Sequence, residues 1–334
     1  MRRIVWITLV AAGLWSVWWG ITAFGLRNSI DTWFEERRAE GWQAELSGIG
    51  LSGWPLSVIA ALQTPVLADP DTGAAFSAPG LTFTAAAWWP GYVTLKLPDD
   101  GVTLASPEGR AQLTTVDATA GLRLRPGAAL ELEQLAAEAA GWGITIAAGD
   151  LASGGPLTAV MEQSPETAAS YSLSFDAAAF RPGSVLRDAL FVPADWPVTF
   201  DALRLDADIT FDRPWGISAL EEARPQPRDI HLERAEAVWG DLLIRFAADL
   251  TVDGGGIPEG SLSIQVRNWR DIITLAARAG TLPPALVPQI TRTLETFAGL
   301  SGNPDALDLD LTLSGGLVSL GFIPIGPAPR LILR

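Results

Sequence analysis

Cysteine is missing from this chain of 334 residues, and histidine and lysine each occur once, as His231 and Lys96. Without cysteine there is no disulfide framework and no thiolate chemistry. A lone histidine argues against zinc sites and against Ser-His-Asp catalysis. No G-x-S-x-G elbow, P-loop or dinucleotide fingerprint occurs either. Positive charge is scarce. Lys and Arg number 23 against 38 Asp and Glu, a net charge of −15. That balance argues against nucleic acid, whose phosphates need clustered Lys and Arg, and against broad electrostatic contact with anionic lipid. No catalytic residue, metal ligand or cofactor is assigned, and the chain is expected not to be an enzyme.

Charge is wholly absent from one segment. Ile4 to Phe24 follows Arg2 and Arg3 without an ionisable side chain. A helix needs roughly 20 apolar residues to cross a hydrocarbon core of about 30 Å, and this segment supplies them. Trp6 lies near one end, and Trp15, Trp18 and Trp19 lie toward the other at i, i+3, i+4 on one face. Indole rings favour the headgroup level, so all four are candidate interface anchors. Arg2 and Arg3 place the N-terminus in the cytoplasm. A cleaved signal peptide would have a shorter apolar core and a small-x-small site, for which Ala23-Phe24-Gly25 is a poor match. The expectation is a cytoplasmic stub and retained anchor over 1–26, with the rest in the periplasm of a Gram-negative cell. The partner so implied is the inner-membrane bilayer.

Asn28–Glu40 keeps helical spacing in Ile30, Trp33, Phe34 and Arg37, which predicts a linker helix within 27–41. From Trp42 the period drops to about 2, and Gly, Pro and Asp punctuate short alternations at 53–55, 69–73, 98–101, 107–109 and 125–127. Leu203–Asp212 is the clearest strand. Leu203, Leu205, Ala207, Ile209 and Phe211 alternate with Arg204, Asp206, Asp208 and Thr210. Leu242, Ile244 and Phe246 repeat the pattern, as do Leu262 and Ile264, and then Leu307 to Leu313. Trp269–Ala279 and the spacing of Leu286, Ile290, Leu294 and Phe297 predict a helical hairpin before the last strands. The fold class is thus mainly β: a transmembrane helix, then an elongated antiparallel body over 42–334. A possible subdomain break falls within 182–197.

Strands with one apolar face must cover it. A second sheet could do so as a closed sandwich, or an apolar molecule could do so in a curved open trough. The sequence leaves both open. The candidate ligand face is Leu203, Leu205, Ile209, Phe211, Leu242, Ile244, Phe246, Leu262 and Ile264. Trp88 and Trp89 are adjacent, so one of them should leave the core; the pair is a candidate patch for lipid or for another envelope protein. Asp71-Thr72-Gly73-Ala74 spells the aspartic-protease signature, but the chemistry needs two such carboxylates and no second copy occurs. The reading is a hairpin turn. His231, between Ile230 and Leu232, should point to water.

The N-terminal anchor, Trp33, Trp42, Gly53-Trp54-Pro55, Ala78-Pro79, Trp89-Pro90, Pro107-Glu108-Gly109 and the ending GGLVSLGFIPIGPAPRL resemble the bacterial family catalogued as domain of unknown function 2125. That resemblance spans nearly the whole chain and carries no reaction. More distantly, the β-rich body with its late helical insertion is similar to AsmA-like envelope proteins, which implies a membrane-anchored lipid-handling role. The functional expectation is a membrane-anchored periplasmic body that shields or carries an apolar ligand, with lipid the expected one; the alternative is a closed scaffold for another envelope protein.

Overall fold

The computed structural model of the protein describes residues 2–221, 223–300 and 303–333. The chain is mainly β, as its alternation predicts. Its first element is one unbroken helix, Arg2–Ala39. The linker helix expected from residue 28 is the continuation of the apolar segment, because nothing between Phe24 and Asn28 breaks the helix. At 1.5 Å per residue it runs about 57 Å, nearly twice a hydrocarbon core.

Two antiparallel sheets follow. The long sheet has 15 strands, beginning Gly48–Ser52, Ser57–Gln63, Gly80–Ala86 and Trp89–Lys96 and ending at Ile323–Pro327. At about 4.8 Å per strand it extends roughly 65–70 Å. The short sheet has eight strands, from Gln43–Glu45 to Arg181–Pro182. The two are one meander folded along a crease. The chain passes from one sheet to the other at 45–48, 63–66, 77–80, 96–102, 116–119, 139–141, 154–157, 177–181 and 182–202.

The crease has identifiable causes. Thr64, Asp117 and Ala179 adopt φ of 44°, 49° and 51° there, a conformation that ends regular pleating. Pro65, Pro79 and Pro156 bring no N–H to the ladder. Hydrogen bonding is carried across by Thr64 N to Pro79 O at 3.2 Å, Ala78 N to Pro65 O at 3.1 Å and Leu97 N to Ala118 O at 3.0 Å. A folded sheet therefore replaces the two independent layers of a sandwich.

The later strands match the sequence pattern closely: Ala202–Phe211, Leu242–Val252, Pro258–Arg267 and Ala306–Ser314. The helical hairpin is present as Trp269–Arg278 and Val287–Leu300. Within 182–197, Arg187 donates to the carbonyls of Pro193 and Pro197 at 3.1 and 3.0 Å and faces the Trp239 ring. Phe180, Phe200, Trp239 and Trp196 form a continuous aromatic chain beside it, so this connection is pinned to the last residue of the strand Pro227–Trp239, in the middle of the long sheet.

Candidate functional site: the inner face of the long sheet

Cross-strand register sorts the side chains. One row reads Phe175, Leu205, Ala235, Phe246, Ile264 and Leu309 across six neighbouring strands. A parallel row reads Leu203, Ala237, Ile244, Val266 and Leu307. On the opposite side the same strands present Asp176, Arg204, Glu236, Arg245 and Gln265. Successive residues of a strand face opposite ways, so an apolar inner face backs onto a charged outer one.

The inner face is covered unevenly. At the anchor end, the helix lies in the fold between the sheets: Leu26, Ile30 and Phe34 pack against Ala44, Ala60, Leu62, Leu67, Leu81 and Phe83. Further along, Trp215 closes over Tyr171, Leu132 and Phe211. At the far end the helical hairpin sets Ile273, Leu294 and Phe297 on Val266, Leu307 and Leu309. Between these covers, Phe200 and Trp196 close over Trp239, but no helix or second sheet is seated over Phe175, Leu205 and Phe246 among the described residues. There a cavity of about 350 Å³ opens, walled by Phe175, Leu203, Leu205, Ile244 and Phe246, with Ala235 and Ala237 as its floor. A second, of about 430 Å³, lies beneath the anchor helix among Ile30, Phe34, Leu62, Leu67, Phe76 and Phe83.

Of the residues expected to form the ligand face, Leu203, Leu205, Ile209, Ile244, Phe246, Leu262 and Ile264 are half-buried on it. Phe211 and Leu242 are buried. Phe211 is taken up by edge-on contacts with Tyr171 and Trp215, at 5.9 and 5.6 Å between ring centroids. Sequence reasoning missed Phe175, Ala235 and Ala237. The alternation around 230–237 slips by one at Glu233-Arg234, and the pairing with both neighbouring strands shifts register beside those residues. The slip itself is visible in the sequence.

The total accessible surface is 19477 Å². A compact globular protein of 35.4 kDa exposes about 13,000 Å². The bare anchor helix and the open inner face both contribute to the excess.

The tryptophans separate by partner. Trp88 is 60% exposed, whereas Trp89 is half-buried and donates to Leu124 O at 2.8 Å. Trp15, Trp18 and Trp19 donate their indole N–H groups to Pro55 O, Ala87 O and Ser57 O at 2.8, 2.9 and 2.7 Å. Their shared face is turned to the body, while Trp6 is exposed. A larger cavity, about 700 Å³, lies mainly on the outer face, where Ala86, Gly121 and Ala136 leave a dip among Thr84, Thr94, Arg123 and Glu138.

The polar motifs occupy structural positions. Asp69 closes the turn that contains Asp71-Thr72-Gly73, accepting from Asp71 N at 2.9 Å and Thr72 Oγ1 at 2.6 Å. The Thr72 hydroxyl, with the Asp71 N–H, holds its carboxyl below the usual range. His231 is exposed on the outer face against Asp249. Among the described residues no three His, Asp or Glu side chains gather as a metal site.

A family model described as "Uncharacterized protein conserved in bacteria (DUF2125)" matches residues 19–329. The chain belongs to the DUF2125 family. No curated protein matches it. Membership adds no assigned chemistry. What this DUF2125 chain offers is physical: a helix long and apolar enough to cross a membrane, and an uncovered apolar face on the sheet that follows.

Proposed function

We propose that this DUF2125 protein is a single-pass inner-membrane protein with a cytoplasmic N-terminus. Its periplasmic body shelters an apolar ligand, a lipid, on the inner face of the long sheet. The observation that carries this reading is the unroofed stretch around Phe175, Leu205, Ile244 and Phe246. Fully burying a Leu, Ile or Phe side chain is worth about 1.5–3 kcal/mol, so a row of them left half-wet is a standing incentive to bind something apolar. The net charge of −15 and the charged outer face keep such a body soluble beside the membrane.

A photoreactive phenylalanine analogue placed at Leu205 or Phe246 of the full chain in cells tests it. Irradiation should yield lipid adducts by mass spectrometry, and the same probe at Arg204, on the outer face, should not. Equal yields at both faces would end the proposal. A second reading, docking of another envelope protein, is favoured by exposed Phe322, Ile323 and Ile325 at the last strand. Protein adducts without lipid adducts would select it.

A further inference from the structure

We infer that the first two hairpin tips of the long sheet, carrying Trp54, Leu56 and Trp88, sit inside the outer leaflet of the membrane that the anchor helix crosses. The inference rests on the anchor part of the proposed function and is independent of whether the inner face binds lipid. It begins with a length. Trp15, Trp18 and Trp19 are bonded to the tips at Pro55, Ala87 and Ser57. The tips therefore stand beside residues 15–19 of the helix. Between Arg3 and Trp15 the helix rises only about 18 Å, well short of the roughly 30 Å core a span must cross. Counting to Phe24 instead gives about 31 Å, which fits. The tips then lie roughly 7–13 Å inside the end of the apolar run.

Three further observations fit that depth. At these heights the side of the helix away from the body stays apolar and exposed, at Leu14, Val17, Ile21 and Phe24. The tips themselves expose Trp54, Leu56 and Trp88 at 58%, 67% and 60%. Several of their backbone groups are also paired from within, which eases their placement at membrane depth. The three carbonyls accept indole N–H groups, Ser57 N donates to Gly53 O at 3.1 Å and Ala87 N donates to Leu56 O at 3.0 Å. Gly53, with φ of 100°, makes the first of these tight closures possible; a Cβ there would stand 2.7 Å from Ser57 O.

The charge pattern agrees. No Asp, Glu, Lys, Arg or His occurs from Leu46 to Ala68 or from Thr72 to Leu95, the stretches that contain both tips. The third tip brings Arg125 and Glu131, beside Arg123 and Glu133, and charges of both signs suit the headgroup level rather than the hydrocarbon. Each strand of a sheet turns by about 20–25° relative to its neighbour, which lifts later tips away from a flat surface.

The cysteine-free chain permits single-site spin labels. Full-length protein in phospholipid nanodiscs would carry L9C, L56C, W88C or S261C, each checked for native circular dichroism. The labels at 9, 56 and 88 should collide with oxygen in preference to a water-soluble nickel complex, and the label at 261 should show the reverse. If 9 reads as lipid while 56 and 88 read as water, the seating is wrong and the anchor stands. If 9 also reads as water, both fail. Neither result bears on lipid adducts at Leu205.

Discussion

Val58, Ala60 and Leu62 at one end of the long sheet, and Leu205, Ile244 and Phe246 in its middle, belong to the same apolar face. The first three are 0%, 0% and 6% exposed; the anchor helix packs on Ala60 and Leu62 and reaches Ser57, beside Val58, through Trp19. The second three are half-buried with a cavity over them. Both stretches alternate with period 2. What differs is the covering, and the covering is supplied by another part of the chain or by nothing. Alternation fixes which face avoids water; it is silent on what does the drying.

The difference can be broken by charge. Val58→Asp buries a carboxylate under the helix with no cation to meet it, at a cost of about 4–5 kcal/mol. Ile244→Asp keeps access to water and loses only part of the burial of one side chain, about 1–2 kcal/mol. Urea unfolding midpoints of the detergent-solubilised protein compare the two, and equal losses would mean that the middle of the face is closed. Added volume sharpens the same contrast. Ala60→Leu has no room and should cost about 1–3 kcal/mol. Ala235→Leu fills open space and should change stability by less than about 0.5 kcal/mol. Thermal melts of the two variants suffice.

These contrasts mark what was legible beforehand. Ala202–Phe211, Leu242–Val252 and Ala306–Ser314 match the expected strands to within a residue or two, because their outer positions are mostly charged or polar and their inner ones apolar. The helical hairpin was legible for the corresponding reason at period 3.6. The crease was not. Thr64, Asp117 and Ala179 are ordinary residues in a left-handed conformation, and only their register with neighbouring strands reveals them as one line. Nor was the docking of Trp15, Trp18 and Trp19. Their spacing gives a shared face, but an indole N–H meets a lipid headgroup and a backbone carbonyl equally well. The inner-face residues were found where the alternation was regular and missed where the strand slips at Glu233-Arg234.

The outer faces of the same two regions differ as well. Near the anchor they carry Thr82, Thr84 and Thr94; in the middle, Asp176, Arg204, Glu236 and Arg245 alternate in sign across four strands. Opposite charges directly across a ladder favour the native register, and a slip of one residue would invert both faces. Glu236 is 7% exposed and meets Arg245, which is 42% exposed. Exposure of the arginine screens the pair, so a double-mutant cycle should return on the order of 0.5–1 kcal/mol. The more exposed Arg204–Asp176 pair, 2.8 Å apart, should return less. If both couplings are zero, register is set by the apolar face alone.

The smallest effect concerns His231, on the charged part of the outer face. Its ring bonds to Asp249, and that hydrogen bond, followed by the Asp249 charge and more distantly Asp208 and Glu233, raises its pKa above the ordinary 6.5. A histidine whose folded pKa is raised stabilises the fold fully below its unfolded value. The contribution is lost as pH climbs from about 6.5 through the raised value. Asp249→Asn should return the midpoint toward 6.5, and the melting difference between it and the wild type should fade across that window. As the only histidine, His231 gives a single imidazole signal to titrate by NMR. A wild-type midpoint at or below the ordinary value would mean that Asp249 faces solvent instead, and that the regular alternation of charge across this face does not extend to the strand pair 231–249.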